Sequence, residues 1–355
     1  MNKSLVMMLT VFSILVFILV GCGNQQTNEG TQTKTESEGT TSEAPEMVDV
    51  KIGMLKLTSS APMFIALEKG FFEEQGINAT ETWFEAAQPI AVATAGGSVD
   101  VGATGITASL YNMVSGGQKL WIVADKGREQ EGFSSSALLV PADSPVTSVG
   151  ELKGKKIGIT QTGSTFHYMA GRLLENYGLS INDVDLVPLN SIPGLMDSLK
   201  SKQVDAVILN EPNISTVVSE GYGKVITQVG DEIEYQTSGV FFSPKFAENK
   251  DAAVRFMKAY AKATQYYYDA VLIQKDGEIV PGENYDEVIN IIAKYTDQDP
   301  ELIKKGLPYM DRDGRLLESD IQTQIDWYAK EKLIESEIDA KEIVNTEFLE
   351  EALKN

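Results

Sequence analysis

The stretch Ile157-Gly158-Ile159-Thr160-Gln161-Thr162-Gly163-Ser164-Thr165-Phe166-His167 decides the fold. It starts as an apolar strand and turns at small and hydroxyl residues, a pattern that predicts a strand followed by a helix. Ser164 or Thr165 can cap this helix, because a hydroxyl oxygen accepts the free N–H groups of the first turn. Gly178 is a suitable left-handed stop. Alone, the stretch indicates an ordinary α/β turn; N–H groups left free there would also attract an anion or a ligand carbonyl.

The same plan occurs twice in the chain. Lys51-Ile52-Gly53-Met54 is repeated as Lys156-Ile157-Gly158-Ile159, and Val99-Asp100-Val101 is repeated as Val204-Asp205-Ala206 with the same spacing. One supersecondary unit used twice predicts an α/β protein with two similar lobes. Ligands of open α/β sheets bind at the carboxyl ends of strands, so we expect the ligand between the lobes.

The beginning of the chain has the pattern of a lipoprotein export signal. Lys3 precedes an apolar run, Leu5 to Val20, that is short for a membrane span. The run ends in Leu19-Val20-Gly21-Cys22, which resembles a bacterial lipobox, so residues 1–21 are predicted to be removed and Cys22 to be lipidated. A cleaved secretory signal with an incidental cysteine and a retained anchor helix are the alternatives. Lipidation predicts a location on the outer face of the cytoplasmic membrane.

Composition narrows the range of partners. Residues 22–47 are polar and contain no large apolar residue before Met47, which predicts a flexible tether. The formal net charge is −21 and argues against nucleic acid and against electrostatic docking on anionic lipid. Cys22 is the only cysteine, so no intramolecular disulfide is possible. We expect a monomer without cofactor or metal.

Two strand-like runs are predicted to connect the lobes. Ser136–Pro141 and Ser238–Pro244 are read as a hinge that crosses side by side and bends at Val140–Pro141 and Gly239–Phe242. The predicted boundaries are 48–138 plus 243–355 for lobe I, and 139–242 for lobe II. Apolar residues at helical spacing predict C-terminal helices on lobe I, over residues 252–271, 285–295, 318–333 and 343–353.

Three motifs resemble the solute-binding lipoproteins of ABC importers, in the nitrate/sulfonate/taurine and thiamine-precursor-like family. They are Pro62-Met63-Phe64-Ile65-Ala66-Leu67-Glu68-Lys69-Gly70-Phe71-Phe72, Ala95-Gly96-Gly97-Ser98-Val99-Asp100-Val101-Gly102 and Leu152-Lys153-Gly154-Lys155-Lys156-Ile157-Gly158. The resemblance covers the chain from about residue 48 to its end. It implies a two-lobed, type II periplasmic-binding-protein-like fold that releases a small-molecule ligand to an ABC permease.

The resemblance also implies which loops form the pocket. The candidate ligand-binding residues lie at helix starts: Thr58, Ser59, Ser60, Ala87, Gln88, Gly105, Ile106, Thr107, Gly163, Ser164, Thr165, His167, Asn190, Asn210 and Glu211. Asn210 stands where many sulfonate-type relatives place an aromatic residue. His167 could equally cap or pack, and Glu211 could simply complement a helix dipole.

Two other functions compete with transport. A fungal pyrimidine-forming enzyme shares the family's fold but relies on a cysteine-rich motif and histidine. This chain has one histidine, and its one cysteine is the predicted lipidation site. It therefore offers no Cys/His pair and no serine triad, and we predict no catalysis. A lipoprotein sensor that presents its ligand to a receptor is the second alternative.

The charges near the predicted pocket constrain the ligand. The few cations near the pocket loops are Lys56 and either Lys126 or Arg128. Carboxylates are as many, at Glu85, Asp125 and Glu211. A multiply charged anion would therefore be poorly matched. Phe84 or Phe166 could supply an apolar wall. We expect a heteroaromatic of the thiamine-precursor type or a singly charged organosulfonate, and favour the first because Glu211 could accept hydrogen bonds from ring N–H groups.

Overall fold

Two five-stranded sheets form the centres of the two lobes. The computed structural model describes residues 46–276, 278–336 and 338–354; the export signal, Cys22 and most of the tether lie outside them. The strands are β1 (Val48–Met54), β2 (Ile77–Trp83), β3 (Val101–Gly105), β4 (Trp121–Glu129), β5 (Ser136–Pro141), β6 (Lys156–Ile159), β7 (Asp185–Pro188), β8 (Ala206–Asn210), β9 (Gly223–Gln228), β10 (Tyr235–Phe242), β11 (Gln274–Lys275) and β12 (Glu278–Ile279).

Helices follow most of the strands, as the alternation of apolar strands and helical patterns predicts. They are α1 (Ala61–Glu68), α2 (Phe71–Glu74), α3 (Ala87–Ala95), α4 (Ala108–Ser115), α5 (Thr165–Asn176), α6 (Ile192–Lys200), α7 (Asn213–Ser219), α8 (Pro244–Glu248), α9 (Lys250–Val271), α10 (Tyr285–Thr296), α11 (Pro300–Ile303), α12 (Glu318–Lys330) and α13 (Glu347–Leu353). None of the helices in the described ranges is both long enough and apolar enough to cross a bilayer.

The two sheets have the same strand arrangement. The first sheet has the order β2-β1-β3-β10-β4 and the second β7-β6-β8-β5-β9. In each, the first three strands are parallel and the fourth is antiparallel to both of its neighbours. The repeated plan predicted from the sequence is therefore present, and the α/β fold class is confirmed.

A pair of aspartates explains why the repeat is visible in the sequence. The Asp100 carboxylate accepts a hydrogen bond from the N–H of Lys51 at 2.9 Å, and Asp205 accepts one from the N–H of Lys156 at 2.8 Å. Each aspartate also donates its own N–H to the carbonyl of the same lysine. The residue that leads into β3 or β8 is thus bonded to the neighbouring strand, β1 or β6, in the same way in both lobes.

The hinge and lobe boundaries predicted from the sequence are wrong. Tyr235–Phe242, assigned to lobe II, pairs with β3 and β4 and belongs to the first sheet, whereas all of Ser136–Pro141 belongs to the second. The chain passes between the sheets at residues 130–135 and 229–234. Both runs are apolar because they are interior strands, and this composition does not distinguish a buried strand from a crossing segment.

The C-terminal helices do not all buttress the first lobe. Helices α9, α10 and α13 pack with the first sheet in one core. Helix α12 contacts α4 and β10, but its Trp327 and Tyr328 also reach α5 of the second lobe. The second core accordingly contains residues of both lobes. The prediction that these helices complete lobe I thus holds for three of the four.

Candidate ligand-binding site

The loops after the strands of the two lobes touch each other directly. The N–H of Ala108 donates to the carbonyl of Gly163 at 2.9 Å, and the N–H of Thr58 donates to the carbonyl of Glu211 at 3.4 Å. These backbone contacts join the lobes across the cleft, so the structure is closed.

Two glycines allow this close approach. A Cβ on Gly105 would lie 2.5 Å from Cγ2 of Thr165, and a Cβ on Gly163 would lie 2.8 Å from Cβ of Ala108. Gly163 also has a φ of +76°, a conformation that glycine adopts without strain. The Gly163-Ser164-Thr165 turn is therefore shaped for contact with the opposite lobe as well as for starting α5.

The contacts enclose a small cavity of about 40 Å³, which we call the inner cavity. Its lining combines small, apolar and hydroxyl residues: Leu55, Leu57, Ser59, Ala86, Ala87, Gly105, Lys126, Gly127, Ser135, Thr160, Thr165, Phe166, Ile192, Asn210, Thr237 and Ser238. A water needs about 10–15 Å³ of such space, so the cavity holds a group of only a few heavy atoms.

Lys126 is the one charged side chain lining the inner cavity within the described ranges. It is 1% exposed, and its Nζ donates to Oγ of Ser59 at 3.0 Å. Burial lowers the pKa of Lys126 to about 7, although the neighbouring Asp125 carboxylate opposes this effect. Asp125 itself accepts hydrogen bonds from the N–H groups of Gly127 and Asp311 and from Nε2 of Gln236. The ammonium group is therefore available to a ligand.

An irregularity in β4 directs Lys126 into the cavity. Ser238 of β10 pairs with Gly127 and Gly239 pairs with Asp125, so Lys126 is the additional residue of a β-bulge. Gly127 has a φ of +134°, which favours glycine at that position. Bulges re-aim side chains, and this one turns a lysine of an edge strand toward the cleft.

Five of the predicted residues line the inner cavity. These are Ser59, Ala87, Gly105, Thr165 and Asn210.

Several other predicted residues support the surrounding loops. Ser60 Oγ donates to the carbonyl of Leu55, Thr107 Oγ1 bonds Ser109 Oγ, and Ile106 is buried. Ser164 caps α5 by accepting the N–H of His167 at 3.2 Å. Thr58 and Gly163 make the contacts between lobes described above. Half-buried Gln88 and exposed Asn190 lie outside the lining.

His167 holds the central turn together. Its Nδ1 accepts the N–H of Gly163 at 2.9 Å, and its ring meets Trp327 edge-on at 5.9 Å. Burial lowers the pKa of His167 to about 4. The imidazole is therefore neutral at physiological pH and positions the turn, which is the capping and packing alternative considered from the sequence.

Glu211 faces away from the inner cavity. Its carboxylate accepts the N–H and the hydroxyl of Ser215, each at 3.0 Å, at the start of α7. Its side chain also lies against Gly306, where a Cβ would be 2.0 Å from Cγ of Glu211. Burial raises the pKa of Glu211, and Ser215 opposes that effect. The carboxylate thus completes a helix start.

Sequence reasoning did not select Lys126 and Phe166 as site residues, although both were considered, and it missed Ser135, Thr160, Thr237 and Ser238. The step Asp125-Lys126-Gly127 was the available signal, because a glycine after a charged residue inside an apolar run suggests a bulge.

The family model described as NMT1-like matches residues 43–278. The chain belongs to the NMT1-like family. A Bacillus subtilis (strain 168) protein, named as a candidate aliphatic sulfonates-binding protein, is 25% identical over 363 residues, which cover 100% of this chain and 98% of that protein.

Solved structures share the fold. The alkanesulfonate-binding protein SsuA from Xanthomonas axonopodis pv. citri, bound to MOPS, superposes with a TM-score of 0.70 at 20% identity, covering 85% of this chain and 99% of SsuA. The nitrate-binding protein NrtA from Synechocystis PCC 6803 gives a TM-score of 0.71 at 16% identity, covering 88% and 90% of the two chains. The two-lobed periplasmic-binding-protein-like fold is therefore confirmed.

Proposed function

We propose that this protein is the solute-binding component of an ABC importer and that its ligand is a small organic compound with one anionic group. The anionic group lies in the inner cavity beside Lys126, and closure of the two lobes encloses it. Delivery to the permease follows when the lobes reopen. Membership of the NMT1-like family and the fold shared with SsuA and NrtA support the transport role.

The burial of Lys126 is the observation that most supports an anionic ligand. Lys126 is 1% exposed, and within the described residues its Nζ bonds only to a hydroxyl and forms no ion pair, although the Asp125 carboxylate is nearby. Burying an unpaired charge is costly, and a monovalent anion removes that cost by pairing with it. The hydroxyls of Ser59 and Thr165 add neutral donors, which suit the several oxygens of a sulfonate.

The heteroaromatic, thiamine-precursor-like ligand favoured from the sequence loses its support. That hypothesis required Glu211 to accept hydrogen bonds from ring N–H groups. The carboxylate instead accepts both polar groups of Ser215 at the start of α7. In place of that carboxylate, the inner cavity has an ammonium group, which repels protonated aminopyrimidines and attracts anions.

Lipidation at Cys22 remains part of the proposal. It would hold the binding protein beside its permease, on the outer face of the cytoplasmic membrane. Mass spectrometry of the membrane-extracted protein should find an acylated N-terminal Cys22. An unmodified peptide spanning Gly21-Cys22 would contradict this part of the proposal.

Isothermal titration calorimetry tests the ligand class. Alkanesulfonates, MOPS, taurine, nitrate and aminopyrimidines are titrated in phosphate buffer, because sulfonate buffers would occupy the site. We expect a sulfonate to bind, and Lys126→Met to weaken it at least tenfold. Lys119→Met, which changes an exposed lysine, is the matched control and should bind like the wild type. Tight binding of an aminopyrimidine, retained in Lys126→Met, would contradict the proposal.

A further inference from the structure

We propose that the ligand carries an apolar tail, alkyl or aromatic, which leaves the inner cavity and packs against Trp83. This inference rests on the proposed function, since the anionic head must first occupy the inner cavity. It specifies the ligand as an organic anion several carbon atoms long, in contrast to a small inorganic anion.

A second pocket lies directly outside the inner cavity. Its volume is about 200 Å³, compared with about 40 Å³ for the inner cavity. Leu55, Leu57 and Ile192 line both, so these three apolar side chains form the boundary between them. We call the second space the outer pocket. A chain that passes between these residues stays in contact with apolar atoms on its way out.

The boundary is contributed by both lobes. Leu55 and Leu57 follow β1, whereas Ile192 begins α6 of the second lobe, and its N–H donates to the carbonyl of Glu85 at 3.4 Å. Closure of the lobes therefore brings the three boundary side chains together around a ligand that spans the two spaces. A ligand that fills both would be held by closure more strongly than one confined to the inner cavity.

Trp83 and Phe84 form the aromatic wall of the outer pocket. Trp83 is the last residue of β2 and is 36% exposed, one of the few large apolar side chains with that exposure in the described structure. Phe84 is half-buried beside it, and Pro193 faces the same space. An exposed aromatic at the opening of a cleft offers area that a ligand tail can bury.

The charges of the outer pocket do not favour a second ionic group. Lys56 and Glu85 both line it, and the Nζ of Lys56 lies 5.7 Å from the centre of the Trp83 ring. The remaining polar residues, Asn213, Thr296 and Gln298, are neutral. The one cation and the one carboxylate balance each other, so the outer pocket has no net charge to attract a second ionic group. The aromatic side chains offer apolar contact area, so an uncharged tail fits best.

Calorimetry with a homologous series of n-alkanesulfonates, from methane- to hexanesulfonate, tests this inference. Burial of each added methylene should raise affinity about fourfold. Trp83→Ala should reduce the gain to less than twofold per methylene while leaving methanesulfonate affinity unchanged, and Trp83→Phe should restore most of it. Val92→Ala, which shortens an exposed side chain of α3 outside the pocket, is the control.

The outcomes separate the inference from the proposed function. If methanesulfonate and longer sulfonates bind with equal affinity, the tail site is wrong and the anion site stands. If Trp83→Ala lowers affinity equally for every chain length, Trp83 acts on the head or on closure, and the inference is also wrong. If no sulfonate binds, both proposals fail. Melting temperatures of the variants show whether each one is folded.

Discussion

The Trp327 ring of α12 lies directly against Gly171 of α5: a Cβ on Gly171 would be 2.2 Å from Cζ2 of Trp327. The indole N–H of Trp327 donates to Oε1 of Glu175 at 3.3 Å, and Nζ of Lys330 reaches the same oxygen at 2.5 Å. Helix α12 therefore packs closely against α5 of the second lobe. Only glycine permits this contact.

Gly171→Ala should destabilise the protein, because the new methyl group overlaps a ring held by its own contacts. Overpacking of this kind costs about 1–3 kcal/mol, which lowers the melting temperature measurably. Small-angle scattering of the variant should also show a larger radius if α12 is displaced from α5.

Gly150→Ala is the matched control. A Cβ there would lie 3.6 Å from Cδ1 of Tyr177, an ordinary contact, so stability should change by less than about 0.5 kcal/mol. Equal melting temperatures for Gly171→Ala and the wild type would contradict a close contact between Gly171 and the Trp327 ring.

Anion affinity should depend on pH through Lys126, whose pKa burial lowers to about 7. An anion beside Nζ favours the charged form, so binding raises this pKa and takes up a proton. Affinity should be constant below pH 7 and fall by up to tenfold per pH unit above it. Calorimetry from pH 5.5 to 9 measures this, and Lys126→Met should remove the dependence. A wild-type affinity independent of pH would contradict the assignment.

The same lysine should affect the stability of the ligand-free protein. Between pH 7 and the ordinary lysine pKa of 10.5, the unfolded chain binds a proton that the folded chain lacks. The contribution of Lys126 to the free energy of unfolding therefore rises with pH across this window, and its burial penalty is complete below pH 7. Lys126→Met should raise the melting temperature at pH 6, where charge burial is most costly. A lower melting temperature than that of the wild type at pH 6 would contradict this.

His167 should stay neutral throughout the range in which Lys126 titrates. Burial lowers its pKa to about 4, and it is the only histidine, so its NMR signal is unambiguous. The imidazole shift should be constant from pH 8 to 5. Stability contributed by the neutral ring should be lost as pH falls from about 6.5 through 4. A titration midpoint near 6.5 would show that the ring is accessible.

Glu211 and Asn210 offer a comparison between neighbours. Glu211→Gln should leave sulfonate affinity within about twofold, because its carboxylate accepts from Ser215 outside the inner cavity. Asn210→Ala should change affinity by about threefold to tenfold, since Asn210 lines the cavity and its Nδ2 donates to Oγ of Ser136 at 2.6 Å. The reverse order, measured by calorimetry, would restore Glu211 as a ligand contact.

Local patterns predicted most of the architecture. Ser164 caps α5, and the repeated Lys51 and Lys156 strands, each paired with its aspartate, sit at equivalent places in the two sheets. These features depend on residues close together in the sequence or on a repeated unit, so they can be predicted from one amino-acid sequence.

The predictions failed where strand pairing between residues far apart in the sequence determines the structure. Tyr235–Phe242 is apolar whether it crosses between lobes or lies inside a sheet, and only its pairing with β3 and β4 distinguishes the two. Lys126 enters the cavity because of a bulge opposite Ser238, a register effect between strands far apart in sequence. The role of Glu211 stayed open in the sequence, because a helix-start carboxylate can face either the helix or the cleft.

Calorimetry with butanesulfonate and its neutral isostere butanesulfonamide tests the central claim most directly. The two differ mainly in charge, so the wild type at pH 6.5 should prefer the sulfonate by at least about a hundredfold, the range expected for a buried charge pair. Lys126→Met should bind both with similar, weak affinity, whereas Lys119→Met should keep the preference. Equal wild-type affinities, or an undiminished preference in Lys126→Met, would contradict an anion site at Lys126.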